Sequence, residues 1–388
     1  MTFKDLNLAE SLLQTLTAIG YSTPTEIQQK AIPHLILGKD IFGCAQTGTG
    51  KTAAFALPIL QHLNGKRHQG IKALVLAPTR ELASQISENI AAYSKNTHLT
   101  HATIFGGVSQ KNQEQVLRKQ IDILVATPGR LLDLMQQGII RLNTIEYFVL
   151  DEADRMLDMG FIRDIKKIIA TLPQKKQTMF FSATVSPEIK ELSNKILVNP
   201  IYVSVTPVSS AAPLIEQSLF YVDQQDKRSL LLHLLKKEGI ENALVFTRTK
   251  RGANKVAKDL NNVGIKTEAI HGNKSQSARE RALHDFKNKS LRVLVATDLA
   301  SRGIDIDKLS HVINYEIPDV PETYVHRIGR TGRAGSTGIA YSFCAHDEKS
   351  NIKSIQKLIQ KSIPVVSNHP YAHPSSKPEN FRLEIQNS

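Results

Sequence analysis

Cysteine is nearly absent: Cys44 and Cys344 are the only two, and they lie 300 positions apart in a chain of 388. A disulfide scaffold is thereby excluded, and two free thiols in a reducing compartment are expected. No apolar run approaches the roughly 18–20 residues that cross a bilayer, so no membrane-spanning helix is expected. The opening "MTFKDLNLAE" has neither a basic head nor an apolar core and does not read as a signal peptide. The 13 histidines show no ligand spacing, and two distant cysteines make no site, which leaves a lone metal-binding or redox reading with little support. There is also no long Lys/Arg run. These absences leave a globular protein expected in the cytoplasm.

What is present is an ordinary globular composition, 41% hydrophobic and 22% charged, in a chain long enough for two domains. The net charge is +13. Up to residue 205 there are 22 Lys+Arg against 17 Asp+Glu, and beyond it 27 against 19. Both halves are mildly basic, which favours a polyanionic partner spread over two domains.

Short apolar runs recur: "KALVLAP", "DILVATP", "YFVLDEAD" and "TMFFSAT", then "NALVFTRT", "RVLVATD" and "HVINYEI". Val/Ile/Leu runs without polar alternation are typical of strands buried on both faces of a parallel sheet. Helical patterns lie between them, as in "FIRDIKKIIATL", where Ile162, Ile165, Ile168 and Ile169 share a face. The expected class is α/β, layered helix–sheet–helix. "KALVLAPTRELASQI" begins at Lys72 and "NALVFTRTKRGANKV" at Asn242, while "DILVATPGR" begins at Asp122 and "RVLVATDLASRG" at Arg292. Both pairs are offset by 170 positions, which suggests a duplicated domain. The expected boundaries are a first domain at 1–205, a linker at 206–213 ("TPVSSAAP"), a second domain at 214–361 and a disordered tail at 362–388.

Only the first copy carries a phosphate loop. "AQTGTGKT", Ala45 to Thr52, ends as such loops end, although Ala45 stands where the general pattern has its first Gly. The strand-like "DIFGC" feeds into it and the helical "TAAFALPIL" leaves it. Gly48 and Gly50 let backbone N–H groups approach phosphate oxygens at a helix N-terminus, and Gln46, Thr47 and Thr49 complete the loop. Lys51 is placed to reach the β- and γ-phosphates, and the Thr52 hydroxyl to ligate Mg²⁺. The strand "YFVL" then delivers "DEAD", Asp151 to Asp154, at its carboxyl end, where ligand sites of such sheets form. Asp151 suits a metal-holding acid acting largely through water, and Glu152 a base for the attacking water.

With these motifs in order, the chain resembles the DEAD-box RNA helicases of superfamily 2 from Phe3 to about Arg333, and "MLDMGFIRDI" is most similar to the bacterial RhlE-like branch. Ala at the first loop position is usual in that family. The resemblance implies two tandem RecA-like domains, each a mostly parallel sheet with helices on both faces. It implies an RNA-stimulated ATPase that uses ATP and Mg²⁺ for local, non-processive separation or remodelling of short RNA duplexes and ribonucleoproteins.

Residue roles follow from the same resemblance. "GYSTPTEIQ" matches an adenine-reading motif in which Tyr21 packs on the base and Gln28 pairs with its edge, a task that an amide donor and acceptor suits. Phe3 matches an isolated upstream aromatic. In "HRIGRTGR", Arg330 and Arg333 match guanidiniums that reach the γ-phosphate, and His326 helps position the site. Asp305 approaches the ribose. Ser182 and Thr184 of "SAT", with Asp154, link hydrolysis to domain closure, although "SAT" alone reads equally as a helix cap. Pro78, Thr79, Arg80, Gly107, Thr127, Gly129, Arg130, Gly272, Gln276, Arg279 and Thr297 match a track for an RNA backbone, being rich in N–H, hydroxyl and guanidinium donors. RNA is the expected partner, with the ribosomal or RNA-degradation machinery beside it, and the chain is expected to be a monomer. A superfamily 2 DNA helicase and an ATP-gated RNA clamp remain as alternatives.

Overall fold

The computed structural model describes residues 1–46, 48–65, 69–205, 215–236, 240–301, 309–332 and 337–372. The chain divides into two compact units, Met1–Pro207 and Val208–Ser388. The expected linker, 206–213, lies outside the described residues.

The strands of the first unit are β1 (Ile41–Cys44), β2 (Ala73–Leu76), β3 (His101–Ile104), β4 (Ile123–Ala126), β5 (Tyr147–Leu150), β6 (Gln177–Ser182) and β7 (Ile201–Ser204). Its helices are α1 (Glu10–Ala18), α2 (Glu26–Ile36), α3 (Lys51–Leu63), α4 (Arg80–Tyr93), α5 (Gln110–Leu117), α6 (Pro128–Gln136), α7 (Ala153–Asp158), α8 (Ile162–Ile169) and α9 (Pro187–Ile196). The strands form one parallel sheet in the order β3-β4-β2-β5-β6-β1-β7. Successive residues of a strand point to opposite faces. Thus Ala73 and Val75 pack in one core with α2, α3 and α4, while Leu74 and Leu76 pack in another with α6, α8 and α9. A strand between two helix layers has no wet face, so it carries no polar alternation. In α8, Ile165 and Ile168 are fully buried and Ile162 and Ile169 pack around them.

The second unit contains β8 (Ile215–Tyr221), β9 (Ala243–Thr247), β10 (Thr267–Ile270), β11 (Val293–Thr297), β12 (His311–Asn314) and β13 (Gly338–Cys344). Its helices are α10 (Lys227–Lys236), α11 (Lys250–Asn261), α12 (Gln276–Lys287), α13 (Asp298–Ser301), α14 (Pro321–Ile328) and α15 (Lys349–Ile359). Its parallel sheet runs β10-β11-β9-β12-β13-β8. The two segment pairs offset by 170 positions are β2 with β9 and β4 with β11, and they hold matching places in the two sheet orders. β8 holds the place of β1. Lys227 opens α10 after β8 as Lys51 opens α3 after β1, but "VDQQD" replaces the glycine loop. The Lys227 amine is fully buried and closed by Glu348 at 2.5 Å. The second unit has therefore sealed with an ion pair the position that Lys51 holds in the first unit.

Order extends past residue 361, where a disordered tail was expected. Leu219 N–H donates to the Pro364 carbonyl at 2.8 Å, and Val366 N–H donates to the Leu219 carbonyl at 2.9 Å. Ile363 is buried, and the His369 ring meets Phe220 edge-on. The segment has no helical periodicity because it runs alongside β8, and that pairing draws on backbone groups. Residues 373–388 lie outside the described residues.

A candidate nucleotide site at three adjacent strand ends

The order β5-β6-β1 brings three motifs together at the carboxyl ends of neighbouring strands: Asp151–Asp154, Ser182–Thr184 and Ala45–Thr52. Cys44 is opposite Ser182 in register, and Ala45 N–H continues the ladder to the Ser182 carbonyl at 2.9 Å. The loop then turns back, with Gly48 at φ 85° and Gly50 at φ 92°. Lys51, the first residue of α3, is 5% exposed and donates to the Ala45 carbonyl at 3.1 Å. Its amine stands 3.6 Å from the Asp151 carboxylate. The Thr49 hydroxyl donates to the Gln46 carbonyl at 2.8 Å, and Thr52 sits half-buried in the first turn of α3. Burial raises the Asp151 carboxyl to about 6, although Lys51 pulls it down.

Gln28 clasps this loop. Its Nε2 donates to the Gly50 carbonyl at 3.0 Å, and its Oε1 accepts from Thr25 N–H at 2.9 Å, closing a capping box on α2. An amide has two donor hydrogens and two lone pairs. One of each is committed here, which leaves the donor and acceptor that an adenine edge requires. Tyr21 is 39% exposed and its hydroxyl is 3.2 Å from that of Tyr93. Phe3 stacks on Tyr21 but is only 4% exposed and belongs to the core.

The acidic segment separates its three carboxylates. Asp151 faces Lys51. Glu152, at φ 54°, is paired with the Arg155 guanidinium, and both are buried. Asp154 Oδ2 accepts from Ala183 N–H at 3.1 Å, Thr184 N–H at 3.0 Å and the Thr184 hydroxyl at 3.2 Å. The Ser182 hydroxyl donates to the Thr184 carbonyl at 2.8 Å. The helix cap after this segment is Ser186, which accepts from Ile189 N–H, so "SAT" is not the cap of α9.

The other half of the same sheet edge, β3-β4-β2, collects the first unit's expected RNA residues. Pro78, Thr79 and Arg80 lead from β2 into α4, where Thr79 is the N-cap. Gly107 follows β3 at φ 78°, and the Arg80 guanidinium lies so close that any Cβ at Gly107 would collide with it. Thr127 is the N-cap of α6 after β4, with Gly129 exposed beside it. Arg130 Nη1 is buried with no hydrogen-bond partner among the described residues.

The second unit repeats this division. Gly272 follows β10, Gln276 and Arg279 lie in the first turn of α12, and Thr297 ends β11. Gln276 Oε1 is likewise buried without a partner among the described residues. After β12, α14 carries His326 on its exposed side, and the buried Arg330 follows it, donating from Nε to the His326 carbonyl at 3.3 Å. Thr47, Asp305 and Arg333 fall outside the described residues. The first arginine of "HRIGRTGR" has a different setting from Arg330. Arg327 is 1% exposed, donates to both oxygens of Asp298 at 2.5 and 2.8 Å and to Asn314 at 3.2 Å, and covers the Phe246 ring. It joins α14 to the ends of β11, β12 and β9. Sequence reasoning missed that framework role and missed Arg155; a basic residue directly after an acidic motif was the available signal for Arg155.

Residues 25–192 match the DEAD/DEAH box helicase family, and residues 226–335 match the helicase conserved C-terminal domain. The RNA helicase CrhR of Synechocystis is 44% identical over 365 residues, covering 94% of this chain and 74% of that protein. The chain belongs to the DEAD-box ATP-dependent RNA helicases. Another member, CshA of Bacillus subtilis, is 42% identical over 363 residues, covering 94% of this DEAD-box chain and 73% of its own. Among solved structures, S. cerevisiae Dbp5 bound to RNA and ADP BeF3 is similar at a TM-score of 0.85 and 33% identity, covering 94% of this chain and 95% of that one. A DEAD box protein from Methanococcus jannaschii matches at 0.57 and 40% identity, covering 94% and 99%. The DEAD-box fold is thus a pair of RecA-like domains.

Proposed function

We propose that this DEAD-box protein is an ATP-dependent RNA helicase that separates or remodels short RNA duplexes and ribonucleoproteins locally and without long processive travel. The carrying observation is the meeting of Lys51, Asp151, Glu152 and the Asp154–Thr184 link at adjacent strand ends in a chain of this family. The residues present suit ATP. A Cβ at Gly50 would collide with the Gln28 amide, so the loop backbone is bare where phosphates approach, and a buried amine faces the same place. Loop N–H groups and Lys51 would hold the phosphates. Thr52 and Asp151 would hold Mg²⁺, Asp151 largely through water; when bound, the ion neutralises phosphate charge. Glu152 would orient the attacking water and take its proton. Gln28 and Tyr21 would hold adenine, and Asp305 the ribose.

From the second unit, Arg330 and Arg333 would supply guanidiniums, worth roughly 10³–10⁵ in rate where such fingers act, with His326 positioning them. Arg80, Gly107, Arg130, Gly272, Gln276, Arg279 and Thr297, with Pro78, Thr79, Thr127 and Gly129, would follow the RNA backbone. Among the described residues Arg130 Nη1 is a buried donor without a partner, which suits a phosphate oxygen, and Gln276 Oε1 is a buried acceptor without one, which suits a ribose 2′-OH. About six neutralised phosphates would give a salt slope near −4. Swinging a two-state chain from 1:99 to 99:1 takes about 5.5 kcal/mol, comparable to about four stacked steps at roughly 1.4 kcal/mol each. One ATP cycle therefore suits a short duplex. A monomer in the cytoplasm, placed in an RhlE-like branch and acting beside the ribosomal or RNA-degradation machinery, completes the proposal.

The test is steady-state ATPase without nucleic acid, with single-stranded RNA and with matched DNA, using Glu152→Gln as control. Stimulation by RNA alone, lost in the variant, is the expected result. Equal stimulation by DNA would point to a DNA helicase, and failure to displace a short RNA strand would point to a clamp.

A further inference from the structure

The acidic segment gives each carboxylate a different partner, and two of the three pairings are accounted for: Asp151 faces the phosphate-loop lysine, and Asp154 holds the loop after β6. The third, Glu152 with Arg155, is not. We infer that Arg155 is a positioning residue for ATP hydrolysis, holding the Glu152 carboxylate in the orientation from which it acts on water; this rests on Glu152 being the base.

Helix stability does not explain the pair. Glu152 is the N-cap of α7, and an acidic N-cap ordinarily turns its carboxylate onto the first free N–H groups of its helix. Glu152 makes no such bond. Its backbone is left-handed, at φ 54° and ψ 52°, which costs a residue with a side chain roughly 1–2 kcal/mol. Such a conformation persists where the surroundings over-determine it. Arg155, in turn, is a cation in the short, six-residue α7, with a long stem of the kind that usually carries its charge to solvent. Yet it is 9% exposed, and Glu152 is its guanidinium's only hydrogen-bond or ion-pair partner among the described residues. A left-handed backbone on one side and a buried cation on the other meet in this one contact.

The chemistry of the pair suits a base. A free Glu side chain samples several rotamers, whereas the buried contact from Arg155 Nη1 holds Glu152 Oε2 in one place. An ionised carboxylate has about four lone-pair sites, and the contact to Arg155 takes up one of them. Burial of both groups strengthens their attraction. Lysine at this position would supply the charge without the planar fork.

The experiment uses the full chain with saturating single-stranded RNA. Arg155→Ala should lower kcat about 10- to 100-fold, the range found when partners that orient an active group are removed. KM for ATP and Kd for a fluorescent ATP analogue should each stay within about two-fold, because the lost contact serves the reacting geometry and not binding. Arg155→Lys should recover part of kcat. Arg155→Met, which refills the volume without charge, should resemble Ala; melting curves check that each variant is folded, and Lys against Met decides if Ala does not fold. Normal kcat in Arg155→Met, or a loss of nucleotide affinity equal to the loss of kcat, would overturn the inference. Inactive Glu152→Gln beside normal Arg155→Met sinks the positioning role alone, and active Glu152→Gln sinks both it and the base.

Discussion

Gly50→Ala tests the clasp between the adenine-reading segment and the phosphate loop. Gly50 sits at φ 92°, and a Cβ there would stand 2.4 Å from Gln28 Nε2 and 2.8 Å from the Thr25 hydroxyl. Two costs arise. The left-handed backbone costs a residue with a Cβ about 1–2 kcal/mol. The Gln28 amide must also withdraw, losing its 3.0 Å bond to the Gly50 carbonyl, worth about 1 kcal/mol. If the loop must keep this shape to bind phosphates, ATP affinity falls by about 30- to 140-fold, at 1.4 kcal/mol per factor of ten. Only the second cost belongs to Gln28. In a Gln28→Ala background, Gly50→Ala should therefore cost about 1 kcal/mol less, a coupling readable from a double-mutant cycle. The assay is Kd for a fluorescent ATP analogue across the four proteins. Strict additivity would refute the clasp and leave Gln28 as a capping residue with no hold on the loop.

Burial raises the Asp151 carboxyl to about 6, so between about pH 4 and 6 the folded chain binds a proton that the unfolded chain has released. Stability of the nucleotide-free chain should then fall as pH rises through that window, by up to about 3 kcal/mol, and Asp151→Asn should flatten the trend in urea titrations. Thr184→Ala removes one of three bonds to Asp154 and should cost about 1 kcal/mol of stability while reducing strand displacement more than RNA-stimulated ATPase, measured side by side. Arg327→Lys breaks a two-point grip on Asp298 that an ammonium cannot reproduce, so the melting temperature should drop, as followed by thermal unfolding.

The strands were legible because burial on both faces imposes one rule, continuous branched apolar residues, that needs no knowledge of neighbours. The 170-residue offset was legible for the same reason, since β2 and β9 occupy equivalent central places under equal constraint. The loop at Ala45–Thr52 was readable as a strand-to-helix turn because contiguous residues, two of them glycines at positive φ, make it. Pairings across the chain were not. Arg327 with Asp298, Lys227 with Glu348 and Gln28 with Gly50 join segments that only the fold brings together. Phe3 is an instructive case: an aromatic at that place serves equally as core, and its 4% exposure with stacking on Tyr21 shows the core use.

The pairing of Leu219 with Pro364 and Val366 bears on where the protein can be cut. β8 is the last strand of its sheet, and an uncovered last strand is a template for another chain. Residues 364–366 occupy part of that template, and His369 lies against Phe220 beside it. A version ending at residue 361 would keep every catalytic and RNA-track residue and still present a bare, aromatic-flanked β edge. Its shortcoming would appear in light scattering and shelf life, as slow clustering at high concentration, rather than in turnover.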